Sequence, residues 1–184
     1  MRTEKTRSKH EKAMRCISIL EGLYGIPEAS VIDPVDLLVE TILSQNTSDV
    51  NSIKAFGRLK SAYPDYKMLL KAPEDEISRH IHVGGLSDIK AHRIKGALQR
   101  IEEDAGSIDL GFLKGMDTDA ARDYLLSIPG VGPKTASVVL LFAFGMPFMP
   151  VDTHVNRVSR RLGLVPEEGS IKEAERILEE ISQS

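Results

Sequence analysis

The chain has 184 residues, 41% of them apolar and 28% charged, with a net charge of −3 and one cysteine. That length supports one compact domain or two small lobes around a buried core, and the composition excludes a disordered, collagen-like or low-complexity chain. Cys16 alone excludes a disulfide framework, and also any zinc or iron–sulfur site held by several cysteines of this chain.

The first fifteen residues are charged and polar with no apolar run, so no signal peptide is read there. The most apolar stretch, residues 136–151, falls short of the ~20 residues a membrane helix needs, and Gly145, Pro147 and Pro150 interrupt it. The expectation is a soluble protein of a reducing compartment, cytoplasmic (nucleoid-associated) or nuclear, with no membrane partner. Charge is unevenly spread. Arg2, Lys5, Arg7, Lys9, Lys12 and Arg15 face only Glu4 and Glu11 at the start, whereas the tail from Glu167 is acidic. A near-neutral total can therefore hide a basic face.

Helical spacing dominates. Residues 8–23 put Met14, Ile17, Leu20 and Leu23 on one stripe. Asp33-Pro34 forms a cap and first-turn pair for a helix to about Gln45, with Leu37, Leu38, Ile42 and Leu43 inward. The next helix, from about Ser48, carries Val50, Ile53, Phe56 and Leu59. Short helices near 65–71 and 74–82 precede Gly84-Gly85 and a helix over 87–103. Residues 107–113 read as loop or a brief extended piece, and Asp117 caps a helix to about Ser127. Residues 133–144 are apolar almost all round and predict a central buried helix. Asp152 opens a helix to about Leu162, and Ser170 opens the last, to about Ser182. Nine or ten helices make the class all-α.

The densest signal for chemistry is Ile128-Pro129-Gly130-Val131-Gly132-Pro133-Lys134-Thr135-Ala136, between two helices. Gly130 and Gly132 permit backbone angles other residues resist and leave no side chain between main chain and ligand. Pro133 suits the first helical turn, whose free N–H groups and positive dipole end make a phosphate site. Carbonyls of the turn could hold a monovalent cation. The same residues also suit an ordinary helix corner that uses glycines to change direction.

Taken with two further segments, this run resembles the helix–hairpin–helix DNA glycosylases, most closely their endonuclease III branch. Val151-Asp152-Thr153-His154, followed by Arg157, Arg160 and Arg161, is similar to that family's catalytic-aspartate segment. Leu43-Ser44-Gln45-Asn46-Thr47-Ser48-Asp49 is similar to the segment that fills the space left by an extruded nucleotide. The resemblance covers roughly residues 27–164. It implies a two-lobed helical fold with a cleft between the lobes: residues 27–146 as a helical barrel with the hairpin, and 1–26 with 147–184 as the second lobe.

The resemblance implies catalysis by Lys134 and Asp152. An unprotonated Lys134, favoured by burial or neighbouring positive charge, attacks the sugar C1′ and forms a Schiff base. Asp152 caps its helix and either stabilises positive charge on the sugar or relays a proton. DNA contacts are expected from Gly130, Val131, Gly132, Thr135 and Arg157, and from Gln45 and Asn46, either of which could be the wedge. Glu40 matches a catalytic glutamate of adenine-removing relatives, but those lack the lysine, so here it is secondary. Gly84-Gly85-Leu86 with Lys90, His92, Arg93, Lys95 and Arg100 reads as a second backbone-contacting turn and a basic helix, or as solvated charge. His80 and His82 lack a third ligand, so no metal site is read.

The expected activity is that of a bifunctional glycosylase and AP lyase on oxidised pyrimidines. The partner is double-stranded DNA with damaged bases or abasic sites, and the protein is a monomer. The rivals are a same-fold glycosylase for 8-oxoguanine or for uracil or thymine mismatches, and a non-catalytic DNA-binding module. No cofactor is expected beyond the monovalent cation. Many endonuclease III relatives hold a [4Fe–4S] cluster on four later cysteines that this chain lacks, which implies a shortened chain or a lineage without the cluster.

Overall fold

The computed structural model describes residues 4–26 and 32–183. The expected boundary at residue 27 and the cation Arg2 lie outside the described residues. Among these are ten α-helices, two short 3-10 turns and no strand. The helices are α1 (Glu4–Tyr24), α2 (Pro34–Ser44), α3 (Asp49–Ala62), α4 (Tyr66–Lys71), α5 (Glu74–Ile81), α6 (Ser87–Ala105), α7 (Thr118–Ser127), α8 (Pro133–Phe144), α9 (Thr153–Arg161) and α10 (Ile171–Ser182). The chain divides into two compact units, Ile32–Met146 and Met1–Val31 with Pro147–Ser184.

In the continuous unit, the Asp33 carboxylate accepts the Val35 and Asp36 N–H groups at 2.9 Å each and starts α2. Val35, Leu37, Leu38, Val39, Ile42 and Leu43 are all buried, so α2 is the central helix, packed on α3, α6 and α8. The expected place of α8 at the centre does not hold. It buries Thr135, Ala136, Ser137, Val139 and Leu140 but leaves Phe142 56% exposed. The face of α3 also differs from expectation. Ser52, Ala55 and Leu59 point inward, at helical spacing, while Val50 and Ile53 face solvent. Ala55 on that face lies close against Gly84, where a Cβ on the glycine would stand 3.2 Å from the Ala55 Cβ, so a larger side chain there would not fit. Residues 111–115 form a 3-10 turn, part of what reads in sequence as loop, and Leu113 anchors it in the core.

Asp36 ties three helices together. Its carboxylate accepts from the Lys60 ammonium at 2.9 Å and the Tyr66 hydroxyl at 2.6 Å, and the Lys60 nitrogen lies 4.4 Å from the Tyr66 ring centroid. Burial first, then Asp36, pushes the Tyr66 phenol well above its ordinary range. Glu40, half-buried one turn along α2, adds to that shift through its charge.

In the second unit, Val151, Leu164, Val165, Ala174, Leu178 and Ile181 form the core beside α9 and α10. The α1 stripe is not buried as its spacing predicts: Met14, Ile17, Leu20 and Leu23 are 43–69% exposed. Polar bonds attach α1 instead. The Lys9 and Lys12 ammonium groups donate to the Leu164 and Leu162 carbonyls at 2.6 and 2.5 Å, and His10 Nδ1 donates to the Ile181 carbonyl at 2.9 Å. Leu162 and Leu164 lie just past the end of α9, where unpaired carbonyls and the negative dipole end attract cations. Lys9 and Lys12 are thus bonded to the chain's own carbonyls.

No helix among the described residues is long and apolar enough to cross a membrane.

Candidate nucleic-acid interface and catalytic residues

The hairpin joins α7 to α8. Ile128 and Val131, 1% and 7% exposed, anchor it in the core, and the Val131 N–H closes the turn on the Ile128 carbonyl at 3.1 Å. Gly130 sits at φ +84°, a left-handed conformation, and a Cβ there would stand 2.7 Å from Arg93 Cγ and 2.9 Å from Cδ. Conformation and space both require glycine. Gly132 differs from expectation. Its φ of −100° and ψ of 176° are ordinary extended values, and a Cβ would meet nothing within 4 Å. What Gly132 contributes is an open approach to the main chain.

Gly132 is also the N-cap of α8, so no side chain caps this helix start, and Pro133 in its first turn has no N–H to satisfy. The positive end of a twelve-residue helix therefore opens without a carboxylate of its own. Lys134 follows in the first turn and is exposed, whereas Thr135 and Ala136 turn into the core at 4% and 0% exposure.

Gln45 and Asn46 end α2 on the same unit. Gln45 is half-buried, and its Oε1 accepts from the Arg93 guanidinium at 2.8 Å. Its Nε2 lies 3.5 Å from the Gly130 carbonyl, at the limit of a hydrogen bond. Asn46 is exposed at φ +53°. Arg93 thus packs over Gly130 and holds Gln45, linking the hairpin to the end of α2. Sequence reasoning counted it only as one charge in a basic helix. The one prior signal was a tight glycine, which cannot name the side chain above it.

The rest of that basic helix is corrected by its partners. Lys90 is buried, His92 faces Glu74 at 3.1 Å, Lys95 donates to the Ala72 carbonyl at 2.7 Å, and Arg100 pairs with Asp104 at 2.6 Å. These side chains bond to the fold's own acceptors. His80 stacks edge-on against Tyr63, with ring centroids 5.5 Å apart.

In the other unit, Asp152 is the N-cap of α9. Its Oδ1 accepts the His154 and Val155 N–H groups at 2.9 and 2.8 Å, and Val151 beside it is 4% exposed. The carboxylate is therefore fixed by two amide bonds and a buried neighbour. Exposed Arg157 donates to His154 Nδ1 at 3.1 Å. Arg160, in the segment that resembles the catalytic-aspartate region, donates to Asn156 Oδ1 at 3.0 Å, to the Gly169 carbonyl at 2.6 Å, and to the Glu167 carbonyl. It clamps the loop between α9 and α10. Arg161 is exposed.

Among the described residues, no three His, Cys, Asp or Glu side chains gather as metal ligands. One cysteine cannot supply the four thiolates of a [4Fe–4S] cluster, so the residues present do not fit that group.

Residues 39–184 match the family described as HhH-GPD superfamily base excision DNA repair protein. The chain is 38% identical over 163 residues to an endonuclease III of Synechocystis sp., covering 87% of this chain and 70% of that protein. It is 40% identical over 146 residues to an Arabidopsis thaliana protein named as a candidate DNA glycosylase, covering 79% of this chain but only 49% of that protein's length. A trapped endonuclease III–DNA covalent intermediate, in an estranged-adenine complex, has a TM-score of 0.78 at 30% identity, covering 98% of this chain and 79% of that one.

Proposed function

Because this chain belongs to the HhH-GPD superfamily of base excision DNA repair proteins, we propose that it is a DNA glycosylase with AP-lyase activity on oxidised pyrimidines in double-stranded DNA. The observation that carries the reading is the exposed Lys134 in the first turn of α8, directly after a turn that no side chain caps. A phosphate bound by that helix start would bring its own deoxyribose to the amine.

The chemistry then follows. The Lys134 Nζ lone pair bonds to C1′ as the glycosidic bond breaks, and the base leaves with the electron pair of the broken bond and one proton of the amine. The C1′–O4′ bond opens, O4′ takes the proton released by the amine, and an imine forms between Nζ and C1′. The imine acidifies C2′–H. Loss of that proton forms a carbon–carbon double bond and expels the 3′-phosphate, and water then frees the lysine. Asp152, fixed by the His154 and Val155 amides, stabilises the positive sugar or relays the amine proton. Gln45 or Asn46 enters the stack vacated by the flipped nucleotide, supported through Arg93. A monovalent cation would sit on hairpin carbonyls. Ile128 O, with one N–H bond, keeps a lone pair for it.

The test is covalent trapping. Borohydride added to the protein with duplex DNA carrying an abasic site is expected to give an adduct that disappears in Lys134→Ala. A duplex panel with oxidised pyrimidines, 8-oxoguanine and mismatched uracil is expected to show base release from the first. No adduct on any abasic duplex overturns the lyase assignment.

A further inference from the structure

Lys90 is buried to 1% exposure with no carboxylate against it among the described residues. Its ammonium donates to two main-chain carbonyls, Leu43 at 2.7 Å and Gly84 at 2.8 Å. Burial alone lowers its pKa. A buried cation without a counter-ion is costly, and it persists only where its bonds hold something that otherwise would not stay.

Both carbonyls sit at turns with special backbones. Leu43 is in the last turn of α2, where carbonyls lack helical partners, and three residues before Asn46 at φ +53°. Gly84 ends the 3-10 turn His82–Gly84, two residues before Leu86 at φ +50°. Asn46 and Leu86 are the only residues other than glycine with positive φ among those described. Leu86, an apolar residue in that conformation, is a strained position, and it is also 53% exposed. Such strain survives only where surrounding contacts over-determine it.

We propose that Lys90 is a positioning residue for this reaction: one buried ammonium locks the end of α2 to the turn before α6, so the two left-handed turn tips and Gln45 form one rigid edge for entry into duplex DNA. The inference deepens the glycosylase reading and rests on it for the DNA step. The apolar stem of Lys90 fills space in the core, while its head replaces the solvent that both carbonyls have lost. A rigid edge matters where a nucleotide must be turned out of a duplex and the gap beside its partner strand filled; a single strand has no such gap.

The test uses the full chain with Lys90→Met, which keeps the stem and removes every donor. Amide hydrogen exchange is expected to rise at least tenfold in residues 43–47 and 82–86 together, with α7, α8 and α10 unchanged. Borohydride trapping should slow at least tenfold on an abasic site in duplex DNA, yet stay within twofold of the parent on the same site in single-stranded DNA. Lys90→Arg, which keeps the cation, should recover most of the duplex rate. If Lys90→Met does not fold, Lys90→Gln is read for the same duplex-to-single-strand ratio. Unchanged exchange at the two turns, or equal slowing on both substrates, overturns the proposal. If the parent protein traps neither substrate, the lyase reading falls, and the exchange result alone decides whether Lys90 locks the turns.

Discussion

Gly130→Ala is the sharpest perturbation of the hairpin, because two separable costs meet at one atom. The left-handed backbone costs an alanine about 1–2 kcal/mol. The new methyl would also lie 2.7, 2.9 and 3.1 Å from Arg93 Cγ, Cδ and Cβ. Because the Arg93 Cβ is among these, the side chain cannot relieve the clash by swinging its tip, and overpacking adds about 1–3 kcal/mol. The sum is about 2–5 kcal/mol of lost stability. In an Arg93→Ala background the contacts with Cγ and Cδ vanish and the 3.1 Å contact with Cβ remains, so the cost falls toward the backbone's about 1–2 kcal/mol. A double-mutant cycle by urea denaturation, followed by circular dichroism, should therefore give a coupling of about 1–3 kcal/mol. Arg93 must also release Gln45 as it moves, so Gly130→Ala should weaken binding to all duplex sequences alike. Equal cost of Gly130→Ala in both backgrounds would refute the packing argument.

Gly132→Ala makes the contrast: with extended φ and open space it should change stability by less than about 0.5 kcal/mol, while still weakening DNA binding in a titration. Loss of stability comparable to Gly130→Ala would show that the turn needs both glycines for its shape. Asp152→Ala should lower stability by about 1 kcal/mol through loss of the cap. Asp152→Asn should keep the cap but slow adduct formation tenfold or more, and unchanged trapping in Asp152→Asn would leave that residue a structural role only. Burial and the Glu76 carboxylate push the Tyr63 phenol up to about 12, and burial with Asp104 does the same for Tyr124. The unfolded chain gives up these protons first, near pH 10. Their stabilisation is therefore complete below that value and is lost as pH rises toward about 12. Ultraviolet titration beside denaturation midpoints checks this, and phenols that ionise at pH 10 in the folded protein would contradict it.

Features written in a few neighbouring residues were legible in the sequence. Asp33, Asp117, Asp152 and Ser170 all accept backbone N–H groups at the helix starts they were expected to cap. A cap needs only its own next three residues, so sequence states it completely. The helix count and the position of Lys134 after the hairpin follow for the same reason. Faces were harder. On α3 Val50 and Ile53 point out while Ser52 and Ala55 point in, and the close contact of Ala55 with Gly84 is one that only small residues permit. Long-range side-chain partners left no trace. Arg93 against Gln45, Lys90 against Leu43 and Arg160 against Gly169 join positions that periodicity cannot relate. In each case a residue type that usually marks solvent is spent on a main-chain or side-chain acceptor inside the fold.

The order of the two units along the chain governs how the molecule can be made. Ile32–Met146 is uninterrupted, so it can close on itself as synthesis proceeds. The helix α1 is made before that unit, yet its partners, the Leu162, Leu164 and Ile181 carbonyls, are made after it. During translation it must wait, with its bonds to those carbonyls unmade, until the distal segment leaves the ribosome. A ribosome stalled once residue 146 has cleared its exit tunnel would thus present a folded middle carrying α1 without its partners, the form in which this chain is most open to capture by chaperones.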